Sequence, residues 1–292
     1  MDRQRILPIA ACALTAACCL VAPAQPQRAP LIRQADRVLI ESNDPGALVA
    51  FCRDTLQLPV DRPVAEQETY TSGSVSAGDV ILEFYRYGDR KRRPAPARFA
   101  SLSLEPGLLA NALADLRAAG FPHDPPEIHL AALPDGSEGP VWMRVRLPAL
   151  SHEAFVVTLF EYSPEFLNME VRRKQFGNRL ALDGGGPLGI LATYALVLES
   201  DDVDAARRAW ARLLGPPGPD GYMRAERGPA FRIVRGPANG IQKTIFRVRS
   251  LARAESFLDS RGLLGAKGEK EIFLQASAVE GLRISLAETL PD

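Results

Sequence analysis

Two stretches of the chain match position for position: RVLIESNDPGALVAFCRDTLQLP from Arg37 and ALVLESDDVDAARRAWARLLGPP from Ala195. Each reads as an apolar strand, the pair Glu-Ser, an aspartate placed to cap a helix, and an amphipathic helix ending in leucine and a turn. Such a repeat constrains the chain strongly, because each copy must build the same unit and bury its apolar face against a neighbour. Asp44 and Asp202 can accept hydrogen bonds from the first free N–H groups of the helices that follow them. Leu48, Phe51, Cys52 and Leu56 share one face of the first helix, as do Ala206, Ala209, Trp210 and Leu213 of the second.

Two weaker copies keep the plan. FASLSLEPGLLANALADLRAAGF from Phe99 gives a strand, a turn at Glu105-Pro106-Gly107 and a helix ending at Gly120; KTIFRVRSLARAESFLDSRGLL from Lys243 gives a strand, Ser250 as cap and a helix ending at Gly262. Strand-like runs with hairpin turns follow every helix, so each unit reads as βαβββ. The expectation is an α+β chain of four units in two pairs, residues 34–165 and 188–288, joined by a helix and a glycine-rich linker over 166–187. Gly184-Gly185-Gly186-Pro187 is expected to be a flexible joint; it has neither the GxGxxG nor the GxxxxGK spacing of a phosphate loop.

The N-terminus, MDRQRILPIAACALTAACCLVAPAQ, has Arg3 and Arg5 before an apolar run and then Ala22-Pro23-Ala24, the pattern of a signal peptide over residues 1–24. Export to the periplasm or medium is expected, and a membrane association only if Cys12 or Cys18 serves as a lipobox cysteine. Cys12, Cys18 and Cys19 leave with the leader, so Cys52 remains alone and no internal disulfide can form. Lys+Arg 35 balances Asp+Glu 35, which gives no basic face for nucleic acid. The one basic cluster, RYGDRKRRPAPAR, suits a solvated linker.

Four βαβββ units in two pairs, with ESNDPGALVAFCRDTLQLPV…SAGDVILEF in the first and FLQASAVEGLRISLAE closing the last, resemble the vicinal oxygen chelate superfamily of glyoxalase I, extradiol dioxygenases and bleomycin-resistance proteins. The resemblance implies a cupped sheet holding a divalent metal, with a His from the first strand of a unit and a Glu from the last as ligands. Arg37, Ala195, a residue near Phe99, and Lys243 occupy the His positions. Glu83 fills the Glu position of the first unit and Glu161 that of the second, one place uncertain in register; Ile233 and Ser285 stand in the others.

A charged guanidinium cannot ligate a metal and opposes a cation beside it. The residues therefore predict an Arg37–Glu83 ion pair and no cofactor, with a divalent metal on Glu83 and Glu161 as the competing reading. Arg37, Glu83, Tyr85 and Glu161 are the candidate ligand-binding residues for a small organic molecule. The alternatives are a metal-dependent lyase or extradiol-type dioxygenase, and a structural or partner-binding module. His123, His129 and His152 read as loop or surface residues, His152 being the best candidate at a cup rim; Trp142, Tyr162 and Trp210 read as core or sheet-face residues.

Overall fold

The computed structural model describes residues 30–88, 96–132 and 136–291. The leader, its three cysteines and most of the basic run lie outside them. The first unit is β1 (Ile32–Glu41), α1 (Pro45–Asp54), β2 (Val60–Glu66), β3 (Tyr70–Ala77) and β4 (Val80–Tyr87). The second is β5 (Arg98–Pro106), α2 (Leu109–Ala118), β6 (Glu127–Ala132), β7 (Glu138–Arg146) and β8 (Val156–Tyr162). After α3 (Met169–Leu182) come β9 (Ile190–Ser200), α4 (Val203–Leu214), β10 (Met223–Arg224) and β11 (Ala230–Arg235). The last unit is β12 (Gly240–Val248), α5 (Leu251–Ser260), β13 (Leu264–Lys267), β14 (Ile272–Leu274) and β15 (Ile284–Ala287).

The third unit is thus βαββ, one strand short of expectation. Pro216, Pro217 and Pro219 occupy the missing strand's place, and proline lacks the N–H that a ladder needs.

The strands form two sheets, β2-β3-β4-β1-β5-β8-β7-β6 and β10-β11-β9-β12-β15-β14-β13. In each, the first strands of two units meet antiparallel at the centre, β1 on β5 and β9 on β12. Within a unit the first and last strands run parallel, as β1 does with β4. Alternation divides the sheet faces: Val38, Ile40, Leu82, Phe84, Leu102 and Leu104 face the helices and are buried, each contributing about 1.5–3 kcal/mol.

The caps hold three helices as the sequence predicts. Asp44 accepts from Ala47 N–H at 2.9 Å, Asp202 from Ala205 N–H at 3.0 Å and Ser250 from Arg253 N–H at 3.2 Å. At α2 the capping residue is Leu108, whose side chain cannot accept.

Gly184, Gly185 and Gly186 do not form a loose joint. Their φ values of 63, 76 and 65° wind one left-handed turn, closed by Gly185 N–H to Leu180 O at 2.9 Å and Ile190 N–H to Gly185 O at 2.8 Å. A Cβ on Gly185 would lie 2.2 Å from Ile190 O, so the run is glycine because the turn is tight.

The β3–β4 turn docks the first sheet on the second: Thr193 Oγ1 donates to Ala77 O at 3.1 Å. Asp79 in that turn has one carboxylate oxygen sealed from solvent without a partner, and burial pushes its pKa up to about 6. A raised folded pKa means that the native state holds a proton the unfolded chain has lost. Asp79 therefore contributes stability that is complete below about pH 4 and lost as pH rises through about 6, an effect of about 3 kcal/mol. Urea unfolding between pH 4 and 7 is expected to show Asp79→Asn lacking this part of the wild-type decline.

Candidate functional site

The inner face of the eight-stranded sheet encloses a cavity of about 780 Å³. Its floor comes from the central strands: Arg37 and Leu39 on β1, Glu83 on β4, Ser101 and Ser103 on β5, and Thr158 on β8. Its walls are rings. On one side Trp142, Phe160 and Tyr162 form a series with centroids 5.4 and 4.8 Å apart, and His129, outside the lining, stacks on Trp142 at 4.9 Å. On the other, Tyr85 meets Tyr87 edge to face at 5.4 Å, with Tyr70 nearby. Such rings stack on flat apolar groups while the phenols remain able to hydrogen-bond.

Arg37 and Glu83 meet at the floor. The β1–β4 register sets Leu39 opposite Glu83, so Arg37 lies diagonally two places away on the same face. Arg37 Nη1 donates to Glu83 Oε2, and Arg62 Nη2, from edge strand β2, donates to Glu83 Oε1. Arg37 Nη2 donates to the Tyr162 hydroxyl at 2.9 Å, and Arg62 also donates to Ser72 Oγ at 3.2 Å. Both carboxylate oxygens of Glu83 are thereby held by guanidinium groups.

A bulge brings Asp36 to the same floor. The β1–β5 pairing slips between Ala35 and Arg37, so both Asp36 and Arg37 line the cavity. Burial raises the Asp36 pKa against the pull of Arg37 and Arg173. Burial alone would lower the Arg37 pKa, but Tyr162, Glu83 and Asp36 outweigh it and raise it above its ordinary value. Burial, with Asp36 adding to it, likewise pushes the Tyr162 phenol up, so the hydroxyl keeps its proton.

Glu161 does not belong to the cup. Tyr162 and Phe160 line the cavity, so the residue between them points to the helix side. There Glu161 Oε1 accepts from Leu109 N–H at 3.0 Å, supplying from β8 the helix cap that Leu108 cannot. The one-place slip that puts Tyr162 in the cup thus has a structural cause. His152 lies in a crevice between the halves with Asn239 and Gly240, not at the cup rim. Trp142 and Tyr162 stand on the cup face, and Trp210 is core. Cys52 is buried, and burial pushes its thiol up to about 12, which leaves it inert.

The register also assigns the equivalent positions. Ser103 pairs with Thr158, Val197 with Arg232 and Ile245 with Ser285, as Leu39 pairs with Glu83. Thr158, not Glu161, is therefore the second unit's counterpart of Glu83, and Arg232, not Ile233, the third's. The counterpart of Arg37 in the second unit is Ser101, two places from Phe99. In the C-terminal cup Ala195, Val197, Tyr222, Ala230, Ile245 and Ala287 pack on one another. Tyr222 Oη donates to Pro291 O at 2.8 Å, and Arg232 Nη1 donates to the same oxygen at 3.2 Å, while Leu290 packs on the same cluster.

These donors do not fit a divalent metal. None of the four first-strand positions carries His, and Glu83 is the one carboxylate among the last-strand positions. Its oxygens are engaged by two cations that would repel a third. Among the described residues no group of three or more His, Cys, Asp or Glu is arranged to hold a metal, and no helix is long and apolar enough to cross a membrane.

No family model and no curated protein matches the chain by sequence. Among solved structures, homoprotocatechuate 2,3-dioxygenase from Brevibacterium fuscum superposes with a TM-score of 0.53 at 13% identity, covering 90% of this chain and 82% of that one. The 2,3-dioxygenase LapB from Pseudomonas sp. KL28 gives 0.52 at 12%, covering 89% and 93%. A hypothetical protein from Staphylococcus aureus gives 0.54 at 9%, covering 87% and 98%. At these identities the likeness speaks to fold alone. With its central antiparallel pairing and paired units, the chain has an α+β fold that resembles that of the extradiol dioxygenases.

Proposed function

We propose that the protein is exported and binds a small organic molecule in the N-terminal cup, where Arg37–Glu83–Arg62 stands in place of a metal centre. The observation that carries this reading is the double clamp on Glu83 at the floor of a ring-walled cavity of about 780 Å³, a volume suited to a compact organic ligand. The cavity also speaks against a purely structural module.

A metal-dependent lyase or ring-cleaving dioxygenase draws on the fold likeness to the dioxygenases. Against it stand the opposite faces of Glu83 and Glu161 and the arginines on Glu83. Metal analysis of the purified mature protein separates the two readings: substoichiometric Fe, Mn, Ni and Zn is expected. Stoichiometric metal, lost in Glu83→Ala, would overturn the binding reading. A thermal-shift screen of small organic compounds is expected to give a ligand that stabilises the wild type by about 2.7 kcal/mol at a hundredfold excess over Kd. Trp142→Ala, which removes a wall of the cup, should abolish that shift.

A further inference from the structure

The two arginines that clamp Glu83 share a second feature. Each follows an aspartate, Asp36-Arg37 on β1 and Asp61-Arg62 on β2. The arginines meet Glu83 in the cup, and the two aspartates are held by consecutive arginines of α3. Arg173 Nη2 donates to Asp36 Oδ1. Arg172 Nε donates to Asp61 Oδ1 at 2.7 Å, and its Nη2 to Asp61 O at 2.7 Å. Consecutive helical residues diverge by about 100°, which lets one short segment reach two strands that β3 and β4 separate.

The surroundings hold these contacts tightly. The Asp36 and Asp61 side chains are 1% and 6% exposed. Ser74 Oγ donates to Asp61 Oδ2 at 2.7 Å, and Arg173 Nη1 donates to Glu105 Oε2 at 2.5 Å. β2 and β1 both run parallel to β4, so they begin at the same end of the sheet, and the N-terminal end of α3 reaches both through Arg172 and Arg173.

We propose that Arg172 and Arg173 are positioning residues for the cup, setting Arg62 through Asp61 and Arg37 through Asp36. The proposal builds on the reading of the cup as a ligand site. It gives the connecting helix a role in that site: displacement of α3 alters the arginines presented to a ligand. Each helix arginine governs one cup arginine, and this one-to-one pattern separates positioning from general support.

The test is residue-resolved modification of the mature protein by phenylglyoxal, followed by peptide mass mapping, with melting temperatures measured alongside. Arg172→Gln is expected to raise the modification rate of Arg62 by about threefold or more, with Arg37 unchanged, because a charge-assisted fork has been removed from its neighbour. Arg173→Gln should do the converse. Arg144 and Arg146, on the far wall, serve as internal controls. Arg172→Lys and Arg173→Lys keep the charge while losing the fork, and the same selective rises are expected should a glutamine variant fail to fold. A folded variant in which both cup arginines speed up together, or neither does, overturns the proposal. The readout needs no ligand, so an empty thermal-shift screen would sink the binding reading and leave this result to stand or fall by itself.

Discussion

Arg173→Met is expected to cost about 3–5 kcal/mol of folding stability, the penalty for removing one partner of a buried ion pair. Arg173 is held by Asp36 and Glu105, with side-chain exposures of 8%, 1% and 15%. Glu105 keeps other donors, Gln34 Nε2 at 3.0 Å and Arg33 Nη1 at 3.5 Å. Asp36 does not: its Oδ2 already has no hydrogen-bond partner, and without Arg173 its Oδ1 loses its donor too.

The pH dependence follows from the direction of the Asp36 shift. Burial already raises this carboxyl above the unfolded value, and loss of the cation raises it further. The variant's native state then holds a proton over a wider range, so its stability falls as pH rises through the raised pKa. The gap between Arg173→Met and wild type in urea unfolding should therefore be smallest near pH 4 and largest near pH 8. Pairing the change with Asp36→Leu should recover much of the loss, since a buried ion pair replaced by apolar side chains is often neutral. An Arg173→Met variant as stable as wild type at pH 8 would mean that Asp36 finds another partner.

The repeat was legible because its signals are local. Strand, cap and helix lie within a few residues of each other, and Asp44, Asp202 and Ser250 each bond to a backbone N–H three residues on. Where a cap came from a distant strand, the reading failed. Leu108 offers no local signal that Glu161 replaces it, and the repeat pattern alone does not tell Glu161 from its neighbour Tyr162 as the cup residue. Parity along a strand is fixed, but its phase depends on the register with the next strand, which sequence does not state. The proline-rich segment after α4 carried a plain warning against a strand that the repeat pattern masked.

The Arg37–Glu83 contact was legible for a related reason: once the two strands are taken as parallel neighbours, cup-facing residues near one level must meet. Arg62 belongs to a strand two places from that of Glu83 in the sheet order, and Arg172 and Arg173 to a helix more than a hundred residues on. The repeated Asp-Arg dipeptide at 36–37 and 61–62 was the available clue. It becomes informative only when both arginines are known to share one carboxylate.

Glu83→Gln is expected to destabilise the protein by about 3 kcal/mol and, at the same time, to create an anion site. The amide keeps the size of the carboxylate, but one of its two ends becomes a donor facing a donor. The Arg37 and Arg62 guanidinium cations are now beside each other without the anion between them. The loss should fall mainly on the Arg37 side, since the Arg37 side chain is 18% exposed and that of Arg62 is 41% exposed and better screened. Sulfate offers acceptors to both guanidiniums, so millimolar sulfate should raise the melting temperature of Glu83→Gln well beyond its effect on wild type at matched ionic strength. This response distinguishes the arginine clamp from a metal centre: removing a metal ligand would cost bound metal and create no preference for anions. If Glu83→Gln melts like wild type and sulfate stabilises both equally, Glu83 is not what holds the two arginines in the cup.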